Sequence, residues 1–219
     1  MVITSNVSSA AAERQKRRRQ VVIDEAVDHA LQIMGESGVG ALSISEVARR
    51  MGLRSPALYR YFDSLGDLYD SLFALGQEQN AQAVHEAITD TARGVDRIRI
   101  GTRATVRWCV THPALAQLLY WRVVPGFEPT EQTFAAGVGV MDELRAEFAE
   151  AVRRRQLDPR ADSEEAVRLL TVQMSGLITQ QLANEPGATF EEGVFSRLTD
   201  EAITIVLGHY RPGGQHADT

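Results

Sequence analysis

The sequence predicts an all-α protein with a three-helix head, a linking fourth helix and a five-helix body, about nine helices in total. Three observations carry that expectation. Apolar residues recur at i, i+3, i+4 and i+7 through most of the 219 residues. The periodic runs start at Ser or Thr and stop at Gly or Pro, as helices do. No stretch of useful length alternates apolar and polar residues as a half-buried strand would.

Residues 1–13 are mostly small and polar and are expected to form a disordered tail. A basic stretch, Arg14 and then Lys16 to Arg19, leads into the first helix. Arg17 and Arg18 can lie along phosphates or reach a minor groove as N-terminal arms do; a solvated helix start is the equal alternative. Ala26, His29/Ala30, Ile33 and Met34 then share one side, and Gly35, Gly38 and Gly40 end the run. Ser43 and Glu46 make an S-x-x-E capping box for the second helix. Ile44, Val47, Ala48 and Met51 are its apolar stripe, and Gly52 is its left-handed stop. Leu53 is placed to plug the corner. Ser55 is a second N-cap with Pro56 at N1. Leu58 and Phe62, four apart, turn the third helix inward. Ser55, Ala57, Tyr59, Arg60 and Tyr61 are left on its outer side.

Ser64 and Asp67 cap the fourth helix, which runs with Leu65, Leu68/Tyr69, Leu72 and Gly76 on one face to a break at Thr89–Gly94. A helix over Asp96–Thr111 ends at His112-Pro113, and a short one over Ala114–Val124 ends at Pro125 and Gly126. Thr130 caps a long helix to Arg155, with Gly137, Met141, Leu144, Phe148 and Ala151/Val152 as its stripe. Ser163 starts a helix to Ala183 with Ala166, Leu170, Gln173/Met174, Leu177 and Gln181 in line. A last helix is expected over Phe190–Tyr210. Residues 212–219 are an expected disordered tail.

The second and third helices form a helix-turn-helix. A short capped helix with a basic, hydroxylated outer face suits the DNA major groove. Arg forks onto guanine, Ala touches a thymine methyl, and Ser and Tyr bond phosphates. Charge distribution agrees. The net charge is −6, yet residues 1–62 hold nine basic against six acidic residues, a surplus of three that leaves the remainder at −9. A basic head on an acidic body is the asymmetry of a protein that meets DNA with one end.

A single cysteine, Cys109, excludes an internal disulfide and fits a reducing compartment. No apolar run approaches the roughly 18 residues a membrane span needs. The small polar start followed by a basic cluster is the reverse of a signal peptide, so a cytoplasmic location without membrane contact is expected. Enzyme motifs are missing: there is no G-x-S-x-G, Walker loop, H-E-x-x-H or C-x-x-C. No cofactor is expected, and the five histidines lack metal-ligand spacing.

On Gly35–Gly38, Leu42-Ser43, Val47-Ala48, Met51-Gly52-Leu53, Ser55, Leu58 through Phe62, and Ser64, residues 17–75 resemble the helix-turn-helix of TetR-type (tetracycline-repressor-like) transcriptional regulators. The rest of the chain shares only the helical pattern. One position departs: the residue after Ser64, commonly a phosphate-contacting lysine in that family, is Leu65. The resemblance implies a DNA-binding domain at 14–63 and a ligand-binding and dimerisation domain at 64–211. It implies DNA contacts at Ser43, Ser45, Arg54, Ser55, Ala57, Tyr59, Arg60 and Tyr61, with Arg54 and Arg60 as base readers.

For the body, the resemblance implies a homodimer closed by the last two helices, through Gly176, Gln180 and Ala183 on one and Phe195, Leu198, Ala202 and Ile205 on the other. It also implies a small-molecule pocket. Trp108, Trp121, Phe134, Met141, Met174 and Leu177 are candidate lining residues, with Arg103, Arg107, Gln173 and Gln181 as polar ones; on pattern alone each apolar member reads first as a core residue. The expectation is a repressor on a pseudo-palindromic operator, released by a hydrophobic or amphipathic effector. A DNA-binding regulator or activator without effector is the first alternative. An all-α enzyme or interaction module is the remote one.

Overall fold

The computed structural model describes residues 3–213, with side chains from residue 13 onward, residue 136 excepted. The described residues are all helical or loop, with nine α-helices. The head holds α1 (Ile3–Ser37), α2 (Ile44–Arg50) and α3 (Ser55–Leu58). The expected tail over residues 1–13 needs correction: α1 is helical from Ile3 onward. Ala, Glu, Gln, Lys and Arg fill residues 10–20, all strong helix formers, and that propensity favours helix through the stretch. Residues 1–2, and 214–219 of the expected C-terminal tail, lie outside the described residues.

Ser43 caps α2, its Oγ accepting from the Glu46 N–H at 3.2 Å. Only that half of the capping box forms, because the Glu46 carboxylate turns to Arg49 and Arg50. Gly52 stands at φ +68°, with its N–H on the Arg49 carbonyl and the Leu53 N–H on the Ala48 carbonyl. That is a Schellman stop. Leu53 does not plug the corner; it is exposed. The cap of α3 is also corrected: Arg54 is the N-cap, with no side-chain bond, and Ser55 opens the helix. Leu58 and Phe62 are buried in one continuous core that also holds Ala26, Ala30, Val47 and Leu68.

Helix α4 (Leu65–Ile88) carries a complete capping box between Ser64 and Asp67. It joins head to body. Its Tyr69 hydroxyl donates to the Val39 carbonyl of the head at 2.8 Å. On its other side the rings of Tyr69 and Phe73 flank Phe127, at centroid distances of 5.4 and 6.3 Å. The body continues with α5 (Val95–Thr111), α6 (Pro113–Tyr120), α7 (Glu131–Arg153), α8 (Glu164–Asn184) and α9 (Thr199–His209). At the start of α7, Asp70 of α4 accepts from the Thr130 N–H and from the Thr130 and Thr133 hydroxyls.

The last helix is shorter than its apolar pattern predicts. Residues 190–192 and 194–195 form turns, residues 196–198 a 3-10 turn, and α9 starts at Thr199. The cause is Gln181, fully buried on α8. Its Oε1 accepts from the Phe195 and Ser196 N–H groups, and its Nε2 donates to the Glu185 carbonyl. Gly193 lies so close that any Cβ there would collide with Gln181 and Ser196. A polar residue on an apolar stripe thus satisfies a loop's buried backbone.

Candidate nucleic-acid interface

The reading tip is built on two anchors. Leu58 and Phe62 fix α3 and the turn after it to the core, so the residues between them face outward. Tyr59 is 50% exposed, Arg60 is exposed, and Tyr61 is half-buried. Ser45 and Arg54 are exposed, and Ser43, Ser55 and Ala57 are partly so. The Ser43 hydroxyl lies 3.2 Å from that of Ser45, which puts two hydroxyls side by side at the start of α2. The structure therefore gathers Ser43, Ser45, Arg54, Ser55, Ala57, Tyr59, Arg60 and Tyr61 on the outer side of one helix-turn-helix. Arg17 and Arg18 are exposed on α1.

The basic residues of the head divide by their partners. Arg49 and Arg50 are held at home. Arg49 pairs with Glu46, and Arg50 bridges Glu46 and Glu36. The Arg49 and Arg50 guanidiniums hold the Glu46 carboxyl down at about 2, and Arg50 lowers Glu36. Arg54 and Arg60 have no carboxylate partner among the described residues, which leaves their donors for a ligand. Arg forks of this kind recognise phosphates and guanine edges.

Arg19 was not singled out within the basic run, yet it touches the tip. Its Nη1 and Nη2 donate to the Arg60 and Tyr61 carbonyls at 2.8 and 3.1 Å. Its guanidinium also lies over the Tyr61 ring, 5.3 Å from the centroid. A cation there meets the carbonyl-rich end of the short helix. The sequence signal was present only as one of four consecutive basic residues.

The expected pocket residues do not converge on one space. Phe134 and Met141 line a cavity of about 240 Å³ between α4, α6 and α7, beside Phe73, Gln77 and Asn80. Trp121 lines an adjoining cavity of about 350 Å³ that shares Phe73, Leu119, Tyr120 and Phe134. A third, of about 380 Å³, adjoins at Val140 and Met141 and reaches Arg93, Arg97 and Glu147. Arg103, Arg107 and Trp108 sit apart, in a recess on the other side of α5. Arg103 pairs with Asp200 and Arg107 with Glu191, both over the Phe190 ring. Met174 and Leu177 are buried core residues, and Gln173 points outward on α8. The correction follows from helix rotation: Gln173 lies beside, not on, the buried line of Leu170, Met174 and Leu177.

Of the expected interface residues, Gly176, Gln180, Ala183, Leu198 and Ile205 are exposed and Phe195 is half-buried. Ala202 is corrected: it is 4% exposed and belongs to the core of its own chain. Val172 and Ile205, 69% and 63% exposed, stand on α8 and α9, two helices in direct contact. Cys109 is buried, and burial pushes its thiol up to about 12. Among the described residues no group of His, Cys, Asp and Glu is placed to hold a metal ion, and no helix is long and apolar enough to cross a membrane.

Comparison with known proteins agrees with this geometry. A family model for bacterial regulatory proteins of the TetR family matches residues 26–72. A model for the tetracyclin repressor-like C-terminal domain matches residues 98–202. An HTH-type transcriptional regulator of Mycobacterium tuberculosis is 31% identical over 142 residues, 63% of this chain; the match spans 59% of that relative's length. FadR from Bacillus subtilis, solved with stearoyl-CoA, superposes with a TM-score of 0.70 at 16% identity, covering 88% of this chain and 98% of that one. AibR, solved with isovaleryl coenzyme A and operator DNA, gives a TM-score of 0.65 at 15% identity, covering 84% and 97%. Those two structures bear on the fold. With head and body each matched by its own model, the chain belongs to the TetR family of bacterial regulators, a family of transcriptional regulators rather than enzymes.

Proposed function

We propose that this protein is a homodimeric, sequence-specific DNA-binding transcription regulator, a repressor released from its operator by a small apolar or amphipathic molecule. The observation that carries the reading is the tip itself: Tyr59 and Arg60 face solvent from a turn pinned on both sides by Leu58 and Phe62. One such tip reads only a few base pairs. A two-fold pair reads two half-sites about 34–36 Å apart, or a multiple of that. The exposed apolar residues Val172, Leu198 and Ile205 on adjacent helices support pairing through α8 and α9, as an isologous four-helix bundle. A protein that reads chromosomal DNA works in the bacterial cytoplasm.

Effector control is supported by the cavities along α4 and α7 and by fold neighbours solved with coenzyme A thioesters. Two contacts connect the cavities to the head. Phe127 packs on Tyr69, whose hydroxyl holds Val39, and Asp70 grips the start of α7. An occupant that displaces α7 relative to α4 therefore acts on the helix that positions the head. It shifts the population only by its differential affinity for the two arrangements, typically about 1–3 kcal/mol.

A gel-shift series on a duplex selected from a random pool tests the DNA assignment. Arg60→Ala loses specific binding, and Tyr59→Phe weakens all sequences alike. Equal binding of wild type and Arg60→Ala to the selected duplex refutes it.

A further inference from the structure

The cavity between α4, α6 and α7 has an unusual polar wall. Phe73, Leu119, Phe134 and Met141 make it apolar, and none of its lining residues is charged. Two carboxamides interrupt it, Gln77 and Asn80, both on α4. Asn80 is 6% exposed. Its Nδ2 donates to the Tyr120 hydroxyl at 2.7 Å. With Nδ2 spent on that hydroxyl, the acceptor of the amide, Asn80 Oδ1, is left over. Asn80 Oδ1 and Gln77 Oε1 are both buried without a hydrogen-bond partner among the described residues.

Buried carbonyl oxygens are rarely left so, because an unmade hydrogen bond costs more than a made one returns. Gly137 of α7 faces the Gln77 amide, and a Cβ there would stand 3.0 Å from Nε2 and 3.2 Å from Oε1. A mid-helix glycine is unfavourable relative to alanine, and here it keeps the carboxamide room to turn. Asn80, its Nδ2 already given to Tyr120, can only accept, and an unpaired acceptor in an apolar, uncharged cavity favours a neutral donor over an anion.

We infer that this cavity takes a small, neutral, largely apolar molecule bearing one hydroxyl or N–H donor, which Asn80 and Gln77 accept, and that it excludes carboxylates. The inference rests on the effector reading and narrows its chemistry. A volume of about 240 Å³ lies below the roughly 300–1,000 Å³ of drug-sized sites, so the occupant is compact.

Titration calorimetry of the full chain with 4-n-butylphenol, 4-n-butylanisole and 4-n-butylbenzoate tests this. The three differ in one group: a donor, a methylated oxygen and a carboxylate. The phenol binds at least about tenfold tighter than the anisole, since a site built to hydrogen-bond a group rejects its isostere. The benzoate binds weakest. Asn80→Leu removes the preference while anisole binding persists. Should that variant fail to fold, Gln77→Leu, at a partly exposed position, tests the same preference and reduces it. Anisole or benzoate binding as well as phenol overturns the donor assignment and leaves the cavity as a ligand site. Binding of none of the three removes the cavity as the effector site, and the inference with it.

Discussion

Arg19 offers a sharp test of how the tip is held. Its guanidinium makes two bonds to the Arg60 and Tyr61 carbonyls and lies over the Tyr61 ring. At an exposed site each bond contributes about 0.5 kcal/mol net, and the ring contact about 0.5 more. Arg19→Ala therefore loosens the tip by about 1–2 kcal/mol, which weakens operator binding roughly 5–30-fold if the ordered tip is the binding form. Arg19→Lys separates position from charge. It keeps the cation, so the slope of log affinity against log salt is unchanged. It cannot fork onto two carbonyls or stack as a plane, so most of the loss remains. Fluorescence anisotropy on the selected duplex at several salt concentrations reads both quantities. Wild-type affinity in Arg19→Ala refutes the bracing role. Full rescue by Arg19→Lys reduces Arg19 to a phosphate contact.

Three further outcomes are expected. The Glu46 carboxyl, held at about 2 by Arg49 and Arg50, gives an NMR titration midpoint far below the usual ~4.3; its pairs are complete above that value and are lost as pH falls through about 2. A midpoint at the ordinary value shows the pairs absent in solution. Ile205→Glu places a charge on the exposed α9 face and yields a monomer by sedimentation velocity; a dimer as stable as wild type excludes that face. Asp70→Ala removes the acceptor for three donors at the start of α7. Amide exchange at Thr130 and Thr133 then accelerates while exchange in α2 does not, and unchanged exchange at Thr130 shows that the anchor carries no load.

What local chemistry determines was legible in the chain. Ser43, Gly52, Ser64 and Thr130 mark helix ends because capping depends on a few adjacent residues, and each stands at an end in the fold. The outward face of the tip followed from Leu58 and Phe62 for the same reason. What depends on distant partners was not legible. Gln181 reads as a defect in an apolar stripe until Phe195 and Ser196 arrive against it. Ala202 reads as a small contact residue, yet helix α9 turns it into its own core. The aromatic and basic residues of the body divide between two sides of α5, a division set by helix rotation and not by composition. Arg19 differs from Arg17 and Arg18 only in the direction its position on α1 gives it.

Methylation interference on the selected duplex tests the central claim most directly. If Arg60 reads a guanine edge from a tip presented twice, N7 methylation blocks binding at two symmetric positions about one helical turn, or a multiple of it, apart. At protein concentrations high enough to restore a bound fraction, Arg60→Ala loses sensitivity at both positions together. Interference confined to one position, or an Arg60→Ala pattern identical to wild type, contradicts the account.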